Sequence, residues 1–235
     1  MISRRSVFVW VSVATMATAA FVALHREWHR VPQEWLPWSP LVVADKPNLW
    51  TRHKLSRLSS DAAACLQVLS ATDIEFEVLA DQVTGEDCGF QNAVLVQRAP
   101  AAVGQPFSLT CRTAVSMALW DRHVLQPAGQ RYFGQRVAGI EHFGSYSCRN
   151  VYGRPNATRS RHATAEAWDV AGFRLADGRR VRVVTGWSST EAEAAFLREV
   201  RDGACHFFDG VLGPDYNEAH RDHLHLDRGP YRVCR

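Results

Sequence analysis

The apolar positions of this chain fall into segments of different period. Arg4 and Arg5 precede an uncharged, largely apolar run from Ser6 to Leu24, closed at once by His25, Arg26 and Glu27. As a helix this run spans roughly 28 Å, about the thickness of a bilayer core. It is apolar all round, which fits a membrane anchor better than a core helix. A cleaved signal peptide is the alternative, with Ala17-Thr18-Ala19 as its cut site. The run continues past that site through Phe21-Val22-Ala23-Leu24, which favours an uncleaved anchor with the body outside.

Beyond the run, residues 28–47 carry Pro32, Pro37, Pro40 and Pro47, with tryptophans at 28, 35 and 38. They read as an extended stalk whose aromatic rings rest at the membrane interface or pack on the body. The organisation is thus 1–27 anchor or signal, 28–47 stalk and 48–235 body. Within the body, Leu55 to Leu69 has a helical pattern, and Ile74 to Leu79 and Ala93 to Gln97 read as strands around the turn Gly85-Glu86-Asp87. Cys111 to Leu125 has apolar residues at 111, 114, 115, 118 and 119, predicting a helix that stops before Pro127. Trp168 to Leu175 and Val181 to Thr185 flank Ala176-Asp177-Gly178, a hairpin signal. Thr190-Glu191-Ala192-Glu193 fits a capping box for a helix with Leu197, Val200, Ala204 and Phe207 on one face, ending near Gly210. His223 to Asp227 reads as a last short strand. This mixture predicts an α+β fold, a small antiparallel sheet flanked by helices.

Composition adds little beyond excluding disorder: 46% of residues are hydrophobic and 22% charged. The net charge of +3 is mild and the basic residues are scattered, so nothing argues for a nucleic-acid partner. The six cysteines, Cys65, Cys88, Cys111, Cys148, Cys205 and Cys234, form no C-x-x-C pair. In an exported chain that pattern reads as disulfides rather than a thiolate zinc site, with the pairing left open. Oligomeric state is not legible.

Two clusters concentrate the candidate chemistry. Residues 160–169 read SRHATAEAWD and residues 220–227 read HRDHLHLD, together holding four of the ten histidines. Imidazole and carboxylate are the ligands of catalytic zinc, which uses three protein groups and one open position. On one continuous helix His162 and Asp169 would lie about 10 Å apart, too far for one ion, so the chain must turn between them. A loop for His162 and a strand start for Asp169 satisfy this. On a strand His223 and His225 share a face, so one can ligate metal while the other stands beside it.

Ser-x-His, six residues, Asp and a later His-x-His resemble the zinc peptidases grouped with lysostaphin, D-alanyl-D-alanine carboxypeptidases and the sonic hedgehog signalling domain. More closely, Pro37 to Cys234 resembles the bacterial extensin-like C-terminal family, through GSYSCRN, RSRHATAEAWDVAGFRLADG and GACHFFDGVLGPDYNEAHRDHLHLD. The resemblance implies His162, Asp169 and His225 as Zn2+ ligands and His223 as the catalytic histidine or a transition-state stabiliser. It also implies His220 as an additional active-site histidine, and Asp222 stands where the carboxypeptidase branch has its basic glutamate. Either His223 or Asp222 takes the proton from water, and strand alternation favours His223. Arg149 resembles an element that binds a substrate carboxylate, or is a surface arginine beside a disulfide. One departure is Ala165, where the superfamily often has glycine. Ser160 either orients His162 or shapes its loop, and His142 and His206 read as structural. The implied function is a zinc peptidase acting on peptidoglycan stem peptides or crosslinks in the periplasm. A metal-containing wall-binding module is the alternative.

Overall fold

The computed structural model describes residues 10, 13–19, 22, 31–189 and 191–235. Most of the predicted anchor, and Thr190 of the predicted capping box, lie outside them. No helix among the described residues is long and apolar enough to cross a membrane.

The first packed segment is the Pro/Trp-rich one. Leu36, Leu41 and Val43 are buried, while Trp35 and Trp38 stay exposed. Lys54, itself buried, donates from Nζ to the Glu34 carbonyl at 3.0 Å and to Ser39 Oγ at 2.8 Å. An ammonium in an apolar surround needs such acceptors. Residues 33–43 are therefore fastened to the body.

The expected helix from Leu55 to Leu69 is two helices, α1 (Thr51–Arg57) and α2 (Ala62–Ser70). Ser59 and Ser60 turn their hydroxyls onto the carbonyls of Ser56 and Arg57, and Asp61 accepts from the Ala64 N–H. Short polar side chains that bond the backbone end one helix and start the next. Strands β1 (Glu75–Val78), β4 (Ala93–Arg98) and β5 (Phe107–Thr110) form a three-stranded antiparallel sheet. Between β1 and β4 lies the hairpin β2 (Gln82–Gly85) and β3 (Cys88–Phe90).

Helix α3 (Cys111–Trp120) does not stop before Pro127. It passes through a π turn, Asp121–Leu125, into α4 (Gln126–Phe133). Proline lacks an N–H and clashes with the carbonyl four residues back, and the widened turn relieves both demands. Strand β6 (Val137–Gly144) follows, and after a long loop β7 (Ala167–Leu175). The hairpin expected at Asp177-Gly178 is present, but its second strand, β8, covers only Arg180–Arg182. The residues 183–186 turn into a helix, α5, instead of extending to Thr185. The reason is space: β6 fills one edge of β7, and on the other edge β10 already pairs with Ala167–Val170. β8 therefore ends where Arg182 meets Gly172.

Helix α6 (Glu191–Ala204) precedes β9 (Gly210–Leu212), β10 (Leu224–Asp227) and β11 (Val233–Cys234). The main sheet runs β11-β9-β10-β7-β6, with β8 beside β7. All its pairs are antiparallel except β11 with β9. Trp120, Trp168, Phe173 and Phe196 fill the space between sheet and helices, with Trp120 Nε1 donating to the Val200 carbonyl of α6. The fold is α+β.

The six cysteines pair as Cys65–Cys111, Cys88–Cys148 and Cys205–Cys234. Each such link typically contributes roughly 2–4 kcal/mol by restricting the unfolded chain. The second ties the β2–β3 hairpin to the loop between β6 and β7, which supplies part of the site.

Candidate metal centre

Strand pairing assembles the centre. In the β7–β10 register His225 lies opposite Asp169, so both side chains rise from one face. Trp168, the next residue of β7, points into the core and is fully buried. His162 comes from a short 3-10 turn, Arg161–Thr164, capped by Ser160, whose Oγ accepts from the His162 N–H at 3.3 Å. The turn closes with Ala165 at φ 53°, in the left-handed region, at a cost of roughly 1 kcal/mol for a residue with a Cβ. The chain thus reverses between His162 and Asp169, as their spacing requires.

The hydrogen-bond partners settle which atoms face inward. His162 Nδ1 lies 2.7 Å from the Ser145 carbonyl and donates to it, so Nε2 is the atom that faces Asp169. His225 is the reverse: Nε2 lies 3.0 Å from Asp227 Oδ2, so Nδ1 is the atom turned toward Asp169. His162 Nε2 and His225 Nδ1 are 3.2 Å apart. The Asp169 carboxylate completes the triangle, at 2.9 Å from His225 and 3.0 Å from His162. Adjacent ligands of tetrahedral zinc stand about 3.3 Å apart. Three polar atoms that converge this closely, all buried, need positive charge among them, from a cation or from ring protons. The donor set and its spacing fit zinc.

Without a cation, protons fill that role. Burial works against a charged His225, but hydrogen bonds with Asp169 and Asp227 outweigh it and push its pKa up to about 9. Burial alone would raise Asp169, yet His162 and His225 hold it far below the usual carboxylate range. Asp227 is lowered in the same way, its burial overcome mainly by the bond to His225.

The remaining predicted residues surround this triangle. His223 lies just before β10, not on it, and Nε2 approaches Asp169 Oδ1 to 3.6 Å. Its Nδ1 is 2.8 Å from Asp222 Oδ1, so Asp222 orients His223 and does not itself join the cluster. The His220 ring stands 5.3 Å from that of His223. Burial, then the neighbouring His225 and His223, lower its pKa to about 4. Arg149 is exposed and lines the cleft over the centre, which has a volume of about 350 Å³. No described residue makes an ion pair or hydrogen bond with its guanidinium. His142 is elsewhere, bonded to the Val103 carbonyl.

The chain matches a known protein family over residues 63–235, the family described as extensin-like protein C-terminus. The chain belongs to that family. Comparison with curated proteins and with solved structures finds no match. Both motif clusters and all seven of the residues discussed as ligands or neighbours lie inside the matched extensin-like region.

Three supporting residues escaped the sequence analysis. Ser145 acts through its backbone carbonyl, which leaves no side-chain signal. Asp227 was legible in principle, since it is two residues past His225 and shares its strand face. Gly210 faces Asp227 across the β9–β10 pair, and a Cβ there would stand 2.3 Å from Asp227 Oδ2, the oxygen that holds His225. Gly210→Ala is therefore expected to displace that carboxylate and weaken zinc affinity by about 10–100-fold, the usual cost of losing an outer partner. Competition with a calibrated chelator checks it. Unchanged affinity would mean that Asp227 does not hold His225.

Proposed function

We propose that this extensin-like protein is a zinc-dependent peptidase that hydrolyses peptide bonds in peptidoglycan stem peptides or crosslinks. The observation that carries the reading is the convergence of His162 Nε2, His225 Nδ1 and the Asp169 carboxylate, their outer atoms pinned by Ser145 and Asp227. These three residues would hold the metal. Zinc bound there supplies Lewis acidity, polarising an amide carbonyl and acidifying water. His223, with Nδ1 on Asp222, offers Nε2 to take the proton of the attacking water. Arg149 offers a free cation at the cleft wall for a substrate carboxylate or for negative charge developing on the carbonyl oxygen. Kinship with the lysostaphin and D-alanyl-D-alanine carboxypeptidase group belongs to this proposal, on the motif order described above.

The periplasmic face of the inner membrane is the proposed location, with the N-terminal run as anchor or cleaved signal. Three disulfides support an oxidising compartment. The test is direct. Zinc-loaded protein incubated with purified sacculi is expected to release new peptide products, which chelation abolishes and zinc restores. No new products, under conditions where an active control yields them, would overturn the peptidase reading.

A further inference from the structure

His220 is buried beside the centre, its ring 5.9 Å from that of His225, yet it is not one of the three converging ligands. What orients it is Asn217. Asn217 Oδ1 lies 3.0 Å from the Ala219 N–H and 2.8 Å from His220 Nδ1. A backbone N–H can only donate, so the amide orientation is determined: Oδ1 accepts from both. His220 therefore carries its proton on Nδ1 and turns a bare Nε2 away from Asn217. Neutral histidine in water prefers the proton on Nε2, so the observed form needs an acceptor that enforces it. His162 and His223 are held the same way, by the Ser145 carbonyl and Asp222.

The other end of the Asn217 amide is also engaged. Nδ2 donates to the Tyr152 hydroxyl at 2.8 Å. Tyr152 belongs to the loop between β6 and β7, and Asn217 to the segment between β9 and β10, so one side chain spans two walls of the cleft. Tyr152 sits at φ 56°, a left-handed conformation that costs a non-glycine residue roughly 1 kcal/mol. Its ring stands 6.3 Å from that of His220, and Tyr216 flanks His220 at 5.5 Å.

We propose that Asn217 is a positioning residue of this site: it holds His220 as the Nδ1–H tautomer and clasps it to Tyr152. His220 Nε2 then accepts a hydrogen bond from an amide N–H of the bound peptide. That role in turnover rests on the peptidase reading; the tautomer does not.

The experiment uses the full chain labelled with 15N-histidine. Long-range 15N–1H spectra are expected to show His220 protonated at Nδ1 and bare at Nε2. Asn217→Ala should move that proton to Nε2. It should also lower kcat on sacculus-derived peptides about tenfold, with KM changed about twofold or less and zinc content kept. Asn217→Asp retains the acceptor and should retain the Nδ1 proton. Wild-type His220 protonated at Nε2, or an Asn217→Ala spectrum identical to wild type, overturns the proposal. Should Asn217→Ala fail to fold, the wild-type and Asn217→Asp spectra decide. Absence of hydrolysis by the wild type counts against the peptidase reading alone, since the spectra still decide the tautomer.

Discussion

Asp169→Ala is expected to purify without stoichiometric zinc and to release no peptides from sacculi. Asp169 is the anionic member of the triangle and is buried at 8% exposure, between two imidazoles. Removing it leaves two imidazole nitrogens 3.2 Å apart with no carboxylate in the triangle to balance a divalent ion. The affinity loss should exceed the roughly 10–100-fold that losing an outer partner costs. Elemental analysis of the purified variant is the measurement. Near-ultraviolet circular dichroism provides the folding control, because Trp168 adjoins the site and lies in the core. One zinc per chain retained in Asp169→Ala would remove this cluster as the metal centre.

His223→Ala separates the enzyme from a metal-containing binding module. The side chain stands beside the triangle, 3.6 Å from Asp169 Oδ1, and supplies none of the three closest atoms. Zinc should therefore stay bound at full stoichiometry. Turnover should fall by about 10²–10⁴, the usual contribution of a positioned acid or base. Asp222→Asn should give a smaller fall, about tenfold, because the ring keeps its place and loses a charged acceptor. If His223→Ala hydrolyses sacculus peptides at the wild-type rate, His223 takes no proton in the reaction. If the wild type shows no hydrolysis and His223→Ala keeps full cellular function, the binding module is the better reading.

The site was more legible than the fold around it. His162 and Asp169 were expected on a loop and a strand because seven residues of helix would separate them too far, and that is their arrangement. The expectation for β10 was one residue too long: His223 precedes the strand, and what turns it inward is Asp222, not strand alternation. The elements misjudged each have their own physical cause. Val181 to Thr185 has strand-forming residues, but β10 occupies the edge it would need, so the chain coils after Arg182. Pro127 is a sound stop signal, overridden by a π turn that hydrophobic periodicity does not reveal. β5 and β9 are short, and β6 is irregular, with register shifts against β7.

By itself, the sequence determined the residue types of the His/Asp/His cluster, their order and the need for a reversal between two of them, because spacing and side-chain chemistry are local properties. It also led to the expectation that the six cysteines would be paired, though not which with which. Only the tertiary structure decided that His225 sits opposite Asp169, and that the Ser145 carbonyl and Asp227 turn His162 Nε2 and His225 Nδ1 toward one point. It alone showed that Gly210 leaves room for that carboxylate and that Asn217 holds His220. Those facts depend on strand register and on hydrogen bonds between residues up to 65 positions apart, as in the Tyr152–Asn217 pair. No local pattern encodes such a meeting; folding brings it about.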